Sequence, residues 1–137
     1  MTIARLSQQE KLQLLNAAER VSTKAYAPFS HFQVGAALLT EKGNLYAGCN
    51  VENSSYGLSI CAERSAIVAA VAGEGGDKLK IRAIAVINAR KQHCVPCGAC
   101  RQFIYEFSPD ALVLFYSRDG LQEKTIAELL PYGFGFL

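Results

Sequence analysis

Two short stretches constrain this chain more than anything else in it: Cys61-Ala62-Glu63-Arg64 and Pro96-Cys97-Gly98-Ala99-Cys100-Arg101-Gln102. Between them they offer three thiolates and one carboxylate. If the thiolates share a metal, segments far apart in sequence must meet in space. Three protein ligands leave a tetrahedral zinc one open position, which holds water. Zinc lowers the pKa of such a water to about 7, so hydroxide is available near neutral pH. A carboxylate beside it can move protons between that water and a substrate. Cys97 and Cys100 are three residues apart and share one face of a helix. Cys61 opens a different helix. The positive ends of two helix dipoles would therefore point at the thiolates.

Plainer readings compete with this one. A single C-x-x-C is compatible with a redox pair or with half of a zinc ribbon. A ribbon needs four ligands from two such pairs, and only one pair is present. Cys94 extends the run to C-x-x-C-x-x-C, the opening of an iron–sulfur pattern, but no further Cys follows three residues later. As a fourth zinc ligand, Cys94 would close the site and abolish catalysis, and that alternative stays open. Cys49 reads as a small buried residue at a strand end. Taken alone, Glu63 is compatible with a mere partner for the helix dipole. His31 and His93 have no second His at ligand spacing and read as surface residues.

The 137 residues suit one domain, 1–137, long enough to bury a sizeable core. A net charge of +2 is too small to argue for nucleic acid. No segment approaches the roughly 20 apolar residues of a membrane span. No basic start followed by an apolar run suggests a signal peptide. Five cysteines, an odd number, in a chain that reads as cytoplasmic favour metal or catalytic use over a disulfide framework.

Helical spacing of Leu14, Ala17, Ala18 and Val21 predicts a first helix, opened by a Ser7/Glu10 capping box and fading near Lys24. Residues 27–30 form a turn into a strand over 32–40, followed by a turn at 41–44 and a return strand over 45–49. Residues 50–60 read as a polar loop. Residues 62–72 predict a helix apolar enough to be buried on most sides, ended by the glycines at 73–76. A strand over 81–88, a loop over 89–95 and a helix from Pro96-Cys97 to Phe107 follow. Strands at 111–116 and 121–124 then precede a brief helix capped by Thr125 and Glu128. This mixture predicts an α/β layered domain with a five-stranded mixed sheet.

Cys-Ala-Glu with a downstream Pro-Cys-x-x-Cys resembles the signature of zinc-dependent nucleoside and nucleobase deaminases, in the variant with three cysteines. Phe32-Gln33-Val34-Gly35-Ala36-Ala37 and Cys49-Asn50-Val51-Glu52-Asn53 narrow the likeness to the short, homotetrameric cytidine deaminases. The similarity runs from about residue 25 to 134. It implies a three-layer α-β-α fold and one zinc per subunit on Cys61, Cys97 and Cys100. It further implies attack of the zinc-activated hydroxide at C4 of the pyrimidine, with Glu63 as proton shuttle. Arg64 would offset the excess negative charge of three thiolates. Phe32 would pack on the base, Asn50 and Glu52 would bind the ribose hydroxyls, and the Ala62 N–H would meet the pyrimidine carbonyl. Tyr56 and Phe134 resemble residues donated to a neighbouring subunit's site. For Phe32 a core role reads equally from sequence; for Asn50 and Glu52 a polar-loop role competes, but the resemblance favours binding because Asn-x-Glu falls where it expects the pair. Arg101 and Gln102 read as structural supports for the metal loop.

The activity so implied is hydrolysis of cytidine and deoxycytidine to uridine and deoxyuridine plus ammonia, in pyrimidine salvage. The tail from Tyr132 to Leu137 carries three aromatics and no charge, which suits burial against another subunit. A deaminase of another aminopyrimidine nucleoside such as blasticidin S is the nearest enzyme alternative. The absence of a basic stripe argues against a polynucleotide deaminase. From a different class, a non-catalytic, zinc-stabilised oligomer predicts metal and assembly without turnover.

Overall fold

The computed structural model describes residues 6–136. Its elements are α1 (Gln8–Ser22), β1 (Val34–Thr40), β2 (Leu45–Cys49), α2 (Ala62–Glu74), β3 (Ile81–Asn88), α3 (Gly98–Phe107), β4 (Leu112–Ser117), β5 (Gly120–Thr125) and α4 (Ile126–Leu129). One short 3₁₀ turn covers Tyr56–Leu58. The five strands form one sheet in the order β2-β1-β3-β4-β5. Only β3 and β4 run parallel; the other neighbours are antiparallel. The sheet is thus mixed, as expected.

Every residue of β1 is buried, because it lies inside the sheet and both faces are covered. Successive side chains of a strand point to opposite faces, and the core divides accordingly. Ala37, Leu39, Ala83, Ala85, Ile87 and Leu114 pack with Leu14, Ala17 and Ala18 of α1. Ala36, Leu38, Ile84, Val86, Val113 and Phe115 pack with Ala66, Ile67 and Ala70 of α2 and Ile104 of α3. Three layers result. Two glycines set how closely helix and sheet approach. A Cβ on Gly35 would lie 1.9 Å from the Ala18 carbonyl oxygen, and one on Gly48 would lie 2.4 Å from the Ala66 nitrogen. Any side chain there would push α1 or α2 off the sheet.

Several boundaries differ from the sequence expectation. β1 starts at Val34, not at residue 32, because the preceding backbone is held by side chains. The carbonyls of Phe32 and Gln33 accept from Asn50 Nδ2 and Asn88 Nδ2, each at 2.9 Å. α2 runs two residues past residue 72. There Glu74 reaches the β1–β2 turn and accepts from Thr40 Oγ1 at 2.8 Å and Asn44 Nδ2 at 2.9 Å. α2 is also less enclosed than its composition suggests. It covers one face of the sheet, so Val68 on its outer side is 48 % exposed. α3 begins at Gly98; Cys97 is its N-cap, with extended backbone. The polar loop at 50–60 contains the 3₁₀ turn and a bridge between Val51 and Ile60. Both capping boxes form as expected, Ser7 with Glu10 and Thr125 with Glu128.

Candidate metal centre and active site

The long-range pairing of β1 with β3 and the packing of α2 and α3 on one face bring two helix N-termini together. Cys61 is the N-cap of α2 and Cys97 the N-cap of α3, both in extended conformation. Neither side chain caps a backbone N–H of its own helix, so both sulfurs are free for other partners. Cys100 lies in the first turn of α3 and is buried. The sulfurs of Cys61, Cys97 and Cys100 all lie within 4.8 Å of one another. On a tetrahedral zinc, with Zn–S of 2.3 Å, two sulfurs would be about 3.8 Å apart. The cluster therefore fits one zinc with small side-chain adjustments. It is the one group of three such ligands among the described residues, and Cys94 lies outside it.

The electrostatics favour a thiolate at Cys61. Donation from the Cys100 thiol, then contact with the Arg64 guanidinium, outweighs burial and draws the Cys61 thiol down to about 5. Cys100, as the donor, is pushed well above the usual thiol range. Arg64 Nη2 donates to Cys61 Sγ at 3.2 Å, and this contact raises the guanidinium pKa further. Burial pushes the Cys94 thiol up to about 12, helped by the charges of Glu63 and Cys61. Burial likewise raises the Glu63 carboxyl above the ordinary range. The direction of the shift favours proton uptake by this carboxyl, as an acid/base group requires.

A cavity of about 310 Å³ opens on this centre. Phe32 and Asn50 line it together with Cys61, Ala62, Glu63 and Cys97. Phe32 also packs against the core, so it is wall and core at once. Asn50 Oδ1 accepts from the Val34 N–H at 2.8 Å while Nδ2 donates to the Phe32 carbonyl. One N–H and one lone pair of its amide remain available to a ligand. His93 and Cys94 are wall residues too. Sequence reasoning placed His93 at the surface; it is exposed, but on the cavity rim.

Three other expected site residues lie elsewhere in the single chain. Glu52 and Tyr56 line a second hollow of about 350 Å³ with Phe29, Ser30 and Ser59. Phe134 borders a larger crevice of about 640 Å³ with Tyr105 and Phe107, where no cluster of ligating side chains occurs among the described residues. Arg101 donates Nε to the Pro96 carbonyl at 2.8 Å and Nη1 to the Leu129 carbonyl at 2.9 Å, tying the metal loop to α4. Gln102 Nε2 donates to the Phe134 carbonyl at 3.0 Å and anchors the tail. Arg101 thus supports the metal loop as expected, whereas Gln102 supports the tail instead.

Residues 8–116 match the family model for the cytidine and deoxycytidylate deaminase zinc-binding region. The chain belongs to this deaminase family. The match opens earlier and closes sooner than the likeness expected for 25–134, since it takes in α1 and stops at β4. Among similar members of the family, the cytidine deaminase of Halalkalibacterium halodurans is 44% identical over 127 residues, 91% of this chain and 94% of the relative. That of Sporosarcina psychrophila is 42% identical over 123 residues, 88% of each chain. The solved cytidine deaminase from Burkholderia pseudomallei superposes with a TM-score of 0.81 at 39% identity, covering 94% of this chain and 100% of that one. The blasticidin-S deaminase of Bacillus cereus is more distant, 32% identical over 90% of this chain and 91% of the relative. The three-layer deaminase fold and a single-zinc cysteine cluster are thus properties of this chain. No helix among the described residues is long and apolar enough to cross a membrane.

Proposed function

We propose that this protein is a zinc-dependent cytidine deaminase that converts cytidine and deoxycytidine to uridine and deoxyuridine. The net reaction adds water at C4 of the pyrimidine and releases ammonia. The observation that carries the reading is the triad of sulfurs within 4.8 Å, with buried Glu63 sharing its cavity. When bound, zinc with three protein ligands supplies a Lewis acid that makes water nucleophilic near neutral pH.

The chain's own residues do the rest. Glu63 takes up a proton and delivers it to N3 of the ring, then supports protonation of the departing amino group. Its burial favours this work, because desolvation raises its pKa and so helps it accept a proton. Arg64 offsets the negative charge of three thiolates through its contact with Cys61. Phe32 packs on the pyrimidine, and the Ala62 N–H at the first turn of α2 meets its carbonyl. Asn50 and Glu52 bind the sugar hydroxyls. The preference for cytidine over blasticidin S is supported by the higher identity to the relatives named cytidine deaminase.

The exposed aromatic tail supports a homotetramer in which Tyr56 and Phe134 complete a neighbouring site. Tyr132 is fully exposed and Phe134 and Phe136 are 63% and 93% exposed in the single chain. Such apolar surface favours burial against a second copy, and sedimentation at micromolar concentration reads the assembly directly. The enzyme acts in the cytoplasm on free nucleosides, and neither nucleic acid nor membrane is a partner.

Absorbance loss on adding cytidine to zinc-loaded protein tests the activity, with Glu63→Ala measured beside it. Turnover in the parent and a loss of at least about a hundredfold in the variant, with zinc retained, is the expected result. Zinc bound without turnover of any cytosine nucleoside would instead favour the non-catalytic oligomer.

A further inference from the structure

Ser30 sits in the turn before β1, where sequence alone suggests only a bend. Its contacts make it more. Ser30 Oγ accepts from the Phe32 N–H at 3.0 Å and donates its proton to Glu52 Oε2. The direction is fixed, because an N–H can only donate and an ionised carboxylate can only accept. The other carboxylate oxygen, Oε1, accepts from the Phe29 N–H at 2.9 Å and the Ser30 N–H at 3.2 Å. Glu52 is therefore clamped by one turn through three donors, and Ser30 supplies two of them. Of its two oxygens, Oε2 has the freer lone pairs.

The same hydroxyl joins two compartments. Phe32 belongs to the wall of the metal cavity, whereas Glu52 lines the neighbouring hollow. The path Phe32 N–H, Ser30 Oγ, Glu52 Oε2 is a side-chain hydrogen-bonded link between them. A nucleoside has a base and a sugar at a fixed separation, so a pocket for it must hold its two halves in register. His31, between Ser30 and Phe32, has a φ of 57°. A non-glycine residue in that region persists where surrounding contacts over-determine it, as the flanking Ser30 contacts do here.

We infer that Ser30 is a positioning residue that holds the sugar-recognising carboxylate of Glu52 in register with the base-lining Phe32. The inference rests on the proposed reading of Glu52 as a sugar ligand. Without the Ser30 hydroxyl, the exposed Phe32 turn can take water in exchange, but Oε2 loses its anchor and swings more freely. Recognition of the sugar hydroxyls then weakens more than handling of the base.

The test compares the zinc-loaded parent, Ser30→Ala, Glu52→Gln and the double variant on cytidine and on 2′,3′-dideoxycytidine, which lacks both hydroxyls. Ser30→Ala is expected to lower kcat/KM for cytidine about tenfold more than for the dideoxy substrate, mainly through KM. Glu52→Gln should show the same selective loss, and the double variant should add little to it. Equal losses on both substrates for Ser30→Ala, with Glu52→Gln still selective, would overturn the role of Ser30 and leave the sugar reading standing. Equal losses for Glu52→Gln would overturn the sugar reading and the Ser30 inference with it. An unchanged zinc content and unfolding midpoint for Ser30→Ala shows that the fold is intact in either case.

Discussion

The four α-helix N-termini among the described residues fall into two kinds. α1 and α4 are closed by complete capping boxes, in which Ser7 or Thr125 accepts from the third helical N–H and Glu10 or Glu128 accepts in return. α2 and α3 are capped by Cys61 and Cys97, whose side chains accept from no backbone N–H of their own helices. A helix start leaves its first N–H groups without intrahelical partners. Where the start serves stability alone, short polar side chains satisfy those donors. At the other two starts that satisfaction is given up, and the positive dipole ends face thiolates instead. The chain thus separates its ordinary helix starts from its reactive ones by the choice of capping residue.

Breaking an open end should have the largest effect. Cys97→Ser removes the exposed member of the sulfur triad, so zinc content measured by mass spectrometry should fall from about one per chain to near none, and turnover with it. Weakening the support should do less. Arg64→Gln leaves all three sulfurs in place but removes the donor to Cys61. A loss of about 10- to 100-fold in zinc affinity or turnover is expected. A variant that keeps both at the parent level would show that Arg64 does not compensate the thiolates.

The closed ends should answer differently. Ser7→Ala should lower stability by about 1 kcal/mol while leaving zinc content and turnover alone. Acid opens the same cap without mutation. The Arg82 contact first, and then the Ser7 N–H, hold the Glu10 carboxyl down at about 2. Because the folded value lies below the ordinary 4.5, the stabilisation is present above pH 4.5 and lost as pH falls toward 2. The gap in unfolding midpoint between the parent and Glu10→Gln should therefore be present at pH 7 and close across that window. Since the pair is partly exposed, the gap should correspond to less than about 1 kcal/mol. Metal loss in acid affects both proteins alike, so only their difference is informative.

The sequence made much of this legible where physics is local. Ser7/Glu10 and Thr125/Glu128 form the expected caps because a capping box needs only four consecutive residues. Cys97 and Cys100 share a site because three residues span less than a helical turn. Elsewhere local reasoning misled. Val68 reads as buried from the apolar run of α2, yet no neighbour covers that side of the helix in the single chain. Glu74 reads as part of a breaker, but Thr40 and Asn44 draw it into the helix from the far end of the β1–β2 hairpin. His93 and Cys94 reach the cavity wall through the loop after β3, a placement that no spacing rule signals.

Residue types and short spacings settle the candidate donors of the metal centre and the two capping-box helix starts, since these depend on bonds and contacts within a turn. Tertiary structure alone decided that Cys61 meets Cys97 and Cys100, that Glu63 is buried beside them, and that Cys94 stays outside the triad. It also decided that Ser30 links Phe32 to Glu52. These outcomes depend on how β1 pairs with β3 and how closely two helices lie on the sheet, and such distances are set by packing across the whole core.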